Sequence, residues 1–170
     1  SFADTPEKVQ VMGEESRLLT SRLAGTEAWW AVPRLGEECD ALALDGQGRL
    51  LAIEVKPGSA GAKSITFSPL QASYYARLFR RWAEQASRPQ ESLDGVIAQR
   101  ARLGLAHAGV PAASPLTIVP VVILGGGGSP SKEVLRRCQV VRKLILDDCL
   151  VEELQLWALD ADGKLTSLVD

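Results

Sequence analysis

The chain has little histidine, little cysteine and no long apolar run. Its 170 residues include one histidine and three cysteines, and the cysteines share no metal-ligand spacing, which is typical of reduced thiols in a cytosolic protein. A serine or cysteine hydrolase needs a histidine base, so the single His107 argues against that class. No run approaches the roughly 20 apolar residues of a membrane span. We therefore expect a cytoplasmic protein without membrane contact.

Charge of one sign is not in excess either. Nineteen basic and 21 acidic side chains give a formal net charge of −2, so any nucleic-acid surface has to be a local basic patch. The length and the hydrophobic content of 46% suit one domain with a real core. Because no linker, repeat or low-complexity tract divides the chain, we predict a single domain over 1–170.

Two short apolar runs, 39–44 and 49–55, are the sequence feature that organises the rest. The segment 45–48 between them reads Asp-Gly-Gln-Gly, which is strong turn chemistry. The simplest interpretation is a β-hairpin.

Three charged side chains converge on this hairpin. Folding the chain at the turn places Asp40 opposite Ile53 or Glu54, so that two carboxylates from neighbouring strands lie side by side. Lys56 is two residues beyond Glu54 and points to the same face. Buried charge is costly unless it is paired or holds a metal, and paired carboxylates suit Mg²⁺ or Mn²⁺.

Asp40 followed by Glu54-Val55-Lys56 after a hairpin resembles the PD-(D/E)xK nuclease superfamily. Cys39 stands where the family pattern has Pro, a position that carries no chemistry. Gln71 and Tyr75, one turn apart on the next predicted helix, are similar to the QxxxY signature of the RecB-like exonuclease branch. The three cysteines cannot supply the four-cysteine iron–sulfur cluster of some members of that branch.

The resemblance implies an α/β fold with a restriction-endonuclease-like αβββαβ core, in which helices flank a central mixed sheet. An extra helix and a C-terminal hairpin would complete the chain. Hydrophobic periodicity predicts elements in a matching order. They are helices over 6–24, 68–87, 91–107 and up to about 147, and strands over 29–32, 39–44, 49–55, 116–124, 153–159 and 164–169.

The activity that the resemblance implies is metal-dependent hydrolysis of phosphodiester bonds, with DNA favoured over RNA and Mg²⁺ or Mn²⁺ as cofactor. Asp40, Glu54 and the carbonyl of Val55 would be metal ligands. Lys56 would orient the attacking water or stabilise the transition state. Gln71 would fix the Lys56 region or a substrate phosphate.

A further acidic ligand is expected from the first helix. At about 100° per residue, Glu15 falls inside the apolar stripe of 6–24 and Glu14 falls at its edge. Glu15 can lie at a margin with its carboxylate in water, or it can point at the metal cluster, as a glutamate of the first core helix often does in the superfamily. We predict Glu15 as the metal ligand.

Nucleic-acid contacts are expected from Tyr75, Arg77, Arg81 and Lys63. The two arginines lie one turn apart on the helix over 68–87, where they form either a solvated face or, beside a metal site, phosphate contacts. Lys63 ends a segment, 57–63, that is rich in small residues, and it either touches a phosphate or belongs to a plain mobile loop.

Two other classes of function stay open. One is a catalytically inactive nuclease-like module that binds nucleic acid or protein, and the other is a structural domain in which Glu54 and Lys56 form a surface ion pair of little energetic value. The complete set of Asp40, Glu54 and Lys56 favours the nuclease. End-dependent or internal attack, and assembly into a homodimer or a larger complex, stay open.

Overall fold

A five-stranded mixed sheet lies at the centre of the computed structural model, which describes residues 6–23, 35, 38–104, 109–126 and 130–169. Five helices and five strands are described over these residues. They are α1 (Pro6–Leu23), β1 (Ala41–Leu44), β2 (Leu50–Pro57), α2 (Ala62–Thr66), α3 (Ser68–Gln85), α4 (Pro89–Arg102), β3 (Ile118–Gly125), α5 (Lys132–Asp147), β4 (Gln155–Leu159) and β5 (Leu165–Ser167).

The strands follow the chain order β1-β2-β3-β4-β5 across the sheet. The middle strands β2, β3 and β4 are parallel, and the edge strands β1 and β5 pair antiparallel with their neighbours. Helix α3 packs on β2 and β3, and α1 and α5 pack against α3. The predicted α/β class, with a mixed sheet flanked by helices, is therefore confirmed.

The predicted hairpin is present because Asp45 organises its turn. One carboxylate oxygen of Asp45 accepts the backbone N–H groups of Gln47 at 2.8 Å and of Arg49 at 3.0 Å, and the other accepts Arg49 Nε at 2.6 Å. Arg49 also donates to Glu153 at 2.8 Å. The turn is thus fastened both to itself and to the segment that precedes β4.

The pairing register brings charge to the carboxyl end of β2. Ala41 lies opposite Ile53, so Asp40, one residue earlier, comes opposite Glu54. In the parallel pair, Glu54 lies beside Val122 and Lys56 beside Leu124.

Alternation along β2 determines which side chains enter the core. Leu50 and Ala52 are buried with residues of α1, α3 and α5, and Glu54 follows them on the same face. Leu70 and Tyr74 cover this face from the first half of α3.

Two elements differ from the sequence-based expectation. The segment after β2, predicted as a mobile loop, turns into α2, and its Gly58 N–H donates to Gly125 at 3.2 Å. The strand predicted over 116–124 is confirmed as β3 (Ile118–Gly125), and Pro120 lies buried inside it beside Ala52. The helix predicted over 91–107 begins at Pro89 and ends at Arg102. The strand expected over 29–32 and His107 lie outside the described residues.

None of the helices that the structure describes is long and apolar enough to cross a membrane.

Gly48 is the position in the hairpin turn where a side chain cannot be accommodated. Its φ is +76°, and an added Cβ would lie 2.3 Å from the carbonyl oxygen of Pro111. We expect Gly48→Ala to lower the free energy of unfolding by about 2 kcal/mol or more, because a non-glycine residue in a disfavoured backbone region costs of order 1–3 kcal/mol and the overlap adds to it.

Urea unfolding measures this loss, and Gly46→Ala in the same turn is the matched control. An added Cβ at Gly46 meets no atom within 4 Å, so that variant should unfold close to the wild type. Equal losses in the two variants would contradict the role given to Gly48.

Candidate active site

Asp40 and Glu54 meet where β1 and β2 pair. The carboxylate of Asp40 accepts the N–H of Val55 at 2.8 Å, which holds this side chain immediately before β1. Asp40 is exposed, whereas only 1% of Glu54 is exposed. The Asp40 carboxyl lies close enough to Glu54 to raise the pKa of the Glu54 carboxyl. The hairpin thus brings a solvent-facing and a buried carboxyl group together, as the register predicts.

Lys56 is the counter-ion of Glu54. Its Nζ contacts Oε1 of Glu54, and 17% of the Lys56 side chain is exposed. The ammonium engages Oε1, whereas Oε2 of Glu54 is buried and has no hydrogen-bond partner among the described residues. A buried carboxylate oxygen without a hydrogen-bond donor is costly. Oε2 is therefore available to a further electropositive ligand.

The environment of Glu54 shifts its ionisation. Burial raises the pKa of Glu54, the ammonium of Lys56 lowers it, and the carboxyl of Asp40 raises it again, with a net shift above the ordinary value. Desolvation and a like charge both disfavour the ionised form. A cation placed between the two carboxylates would reverse both effects.

Gln71 and Tyr75 approach the pair from α3. The amide of Gln71 donates to the hydroxyl of Tyr75 at 3.2 Å. Burial raises the pKa of Tyr75 to about 12, with added contributions from the nearby charges of Glu54, Cys39 and Asp40 and an opposing one from Gln71. The phenol consequently stays protonated and can donate a hydrogen bond. Tyr75 therefore lies within range of the charges of both carboxylates, and Gln71 is joined to the site through its hydrogen bond to Tyr75.

Glu15 points into the protein, but towards arginines. Only 1% of it is exposed, so the helix phase that favoured Glu15 over Glu14 is right. Its carboxylate pairs with Arg77 Nε and with Arg81 Nε, each at 2.5 Å. Among the described residues, no three His, Cys, Asp or Glu side chains form a group that could hold a metal. Glu15 is therefore not a third ligand beside Asp40 and Glu54 in the structure. Two guanidinium groups engage its carboxylate instead.

The same contacts change the expectation for Arg77 and Arg81, which were predicted as phosphate contacts. Arg77 also donates to the carbonyl of Leu150 at 2.8 Å, and Arg81 donates to Glu14 at 3.1 Å. The two arginines therefore fasten α1 and the segment after α5 to α3, and a phosphate would have to displace a carboxylate to reach them. Lys63, by contrast, lies on α2 with an exposed side chain.

Cys39, to which the sequence pattern assigned no chemistry, lies beside the site. Its Sγ lies 3.3 Å from the carbonyl oxygen of Ala41 and 3.5 Å from that of Ile53. Burial raises the pKa of the Cys39 thiol. The hairpin register already places Cys39 next to Asp40, just before β1, so its position near the carboxylates could have been predicted from the sequence.

Comparison of the chain with protein-family models, with curated proteins and with solved structures found no match. The assignment of an activity therefore depends on the residues of this site.

The stability of the metal-free protein should report on Glu54. Because its folded pKa is raised, the folded state holds the proton more tightly than the unfolded state does. This contribution to stability is full below the ordinary pKa of 4.5 and is lost as the pH rises through the folded value. We expect the stability of the wild type relative to Glu54→Gln to fall from acid to neutral pH, measured by unfolding in EDTA. A difference that is constant, or that grows with pH, would refute the inward placement of Glu54.

Glu15→Gln tests whether this residue is structural or a metal ligand. Breaking a buried ion pair costs about 3–5 kcal/mol, and we expect about 2–3 kcal/mol here because 21% of Arg77 and 37% of Arg81 remain exposed. Metal affinity at Asp40 and Glu54 should be unchanged.

Glu14→Gln is the matched control, since 39% of the Glu14 side chain is exposed, and it should cost less than about 1 kcal/mol. Chemical unfolding and metal titration of both variants separate the two roles. Normal stability together with weakened metal binding in Glu15→Gln would restore the ligand role.

Proposed function

We propose that the chain is a metal-dependent nuclease that hydrolyses phosphodiester bonds, with DNA as the favoured substrate. The observation that carries the proposal is the buried carboxylate of Glu54, whose Oε2 has no hydrogen-bond partner among the described residues while Lys56 contacts Oε1 and the charge of Asp40 lies nearby. A purely structural ion pair on the surface would leave Glu54 exposed to water. Its 1% exposure argues against that interpretation.

The order of elements supports the same proposal. The described elements follow the order of the αβββαβ core of restriction-endonuclease-like proteins, namely helix α1, the hairpin β1-β2, helix α3 and the parallel strand β3. The remaining core strand is the one expected over 29–32. Ligands of open α/β sheets commonly bind beyond the carboxyl ends of the strands, and Glu54 and Lys56 lie in the carboxyl-terminal half of β2.

The donor set suits Mg²⁺ or Mn²⁺. Asp40 and Glu54, with the carbonyl of Val55, offer hard oxygen atoms, and Mg²⁺ is typically held by one or two carboxylates while it keeps several waters. When bound, such an ion would lower the pKa of a coordinated water and offset charge on the phosphate. The two carboxylates suffice for this coordination without Glu15.

The other side chains would act on the substrate. Once Glu54 is neutralised by a cation, the ammonium of Lys56 is free to orient the attacking water or to stabilise the negative charge that develops on the phosphate. Tyr75, held protonated, would donate a hydrogen bond to a carboxylate or to the scissile strand, and Gln71 fixes its hydroxyl. Lys63, exposed on α2, would meet the nucleic-acid backbone.

A catalytically inactive module that binds nucleic acid or protein is the second candidate. It is favoured by one observation, namely that the described residues hold no group of three ligating side chains. Such a module would bind its partner without turnover and without a requirement for metal. A homodimer or a larger complex is compatible with either function.

Cleavage assays with linear and circular double-stranded DNA, single-stranded DNA and RNA, each with Mg²⁺, with Mn²⁺ and with EDTA, test the proposal. We expect cleavage of DNA in the presence of metal and none in EDTA. Asp40→Ala and Glu54→Ala should each lower the rate by about 1,000-fold or more, because the ion they hold supplies several kcal/mol of transition-state stabilisation.

Lys56→Ala should lower the rate with less effect on metal affinity, since lysine is not a ligand. Asp162→Asn, in the exposed turn between β4 and β5, is the matched control and should cleave normally. Salt-dependent binding of nucleic acid, without cleavage of any of the substrates, would favour the binding module. If the protein binds neither metal nor nucleic acid, the interpretation as a structural domain would be favoured.

A further inference from the structure

A cavity of about 470 Å³ opens at the end of the sheet opposite to Asp40 and Glu54. Ile118, the first residue of β3, lines it, whereas Glu54 and Lys56 lie beside residues 122 and 124 of the same strand. At about 3.3 Å per residue, the separation is roughly 13–20 Å. Small-molecule sites usually have volumes of about 300–1,000 Å³, so the cavity is a second candidate site, distinct from the first.

Three charged side chains line this cavity, and two of them, Glu84 and Glu152, are exposed. Arg80 and Glu84 reach it from α3, and Glu152 reaches it from the segment between α5 and β4. Over the described residues, none of the three has a hydrogen bond or an ion pair through its side chain. Arg77 and Arg81 of the same helix, in contrast, are both paired. Arg80 and Glu84 have the spacing at which helical ion pairs form, yet they stay apart on the cavity wall.

The rest of the wall is mixed. Its apolar part is formed by Ala83, Pro89, Pro115, Leu116 and Ile118, and Gln90 and Thr117 add polar groups. A ligand that satisfies the whole cavity therefore needs a group for the cation, a group for the carboxylates and an apolar body between them. A phosphate or a nucleotide would satisfy Arg80 but would face two carboxylates.

We propose that this cavity binds a small zwitterion of the α-amino acid class with an apolar side chain, either free or as a short peptide. The guanidinium of Arg80 takes the carboxylate, in the two-pronged geometry that arginine favours. Glu84 and Glu152 take the ammonium, and the aliphatic side chain lies on Leu116 and Ile118. This binding activity does not depend on the nuclease proposal.

Calorimetric titration of the intact protein with L-leucine, L-leucyl-L-leucine, N-acetyl-L-leucine and L-leucinamide tests the proposal. The two zwitterions should bind at least about tenfold more tightly than either blocked analogue, since each blocked end removes a charge-assisted hydrogen bond. The ratio of leucine to dipeptide affinity identifies the free amino acid or the peptide as the ligand. Equal affinity for zwitterions and blocked analogues, or no binding at millimolar concentration, overturns it.

Substitutions locate the binding. Arg80→Gln and Glu152→Gln should each weaken leucine binding by about tenfold or more, with thermal unfolding unchanged. Arg100→Gln on α4, outside the cavity wall, is the matched control and should bind as the wild type does. Wild-type affinity in Arg80→Gln would overturn the proposal. Because DNA cleavage is measured separately, failure of one proposal is distinguishable from failure of the other.

Discussion

The alternation of side chains along β2 is the constraint on which the candidate site depends. A strand presents every second residue to one face, so the pattern that buries Leu50 and Ala52 under the helices also buries Glu54. The apolar burial stabilises the strand in this register, and a shift by one residue would expose its core face. The carboxylate is therefore held in a costly position by the packing of its apolar neighbours, with Lys56 as partial compensation.

Local chemistry explains why the hairpin and its charges could be predicted from sequence. The turn at Asp45 depends on hydrogen bonds over four residues, and once the turn is placed, the register of Asp40 and Glu54 follows from counting. Nothing beyond neighbouring residues was needed for this prediction.

The partners of Glu15 could not be predicted in this way. Its burial follows from the phase of α1, but a buried carboxylate can be satisfied by a metal or by arginine, and the choice depends on how α1 lies across α3. That arrangement joins residues more than 60 positions apart. Arg77 and Arg81 looked like a solvated or phosphate-binding face because a helix pattern does not reveal which other helix covers it. The cavity near Arg80 is also formed by distant segments, and no local pattern marks it.

Charge joins α1, α3 and the segment after α5, in addition to apolar packing. The groups involved are Glu15, Arg77, Arg81 and the carbonyl of Leu150. A shortened chain that lacks α1 would leave two guanidinium groups without their carboxylate. Such a fragment would be attracted to any polyanion, in a manner that weakens with salt. Retention of a truncated protein on DNA would therefore measure an exposed helix–helix interface, and it would be a poor guide to how the intact protein recognises nucleic acid.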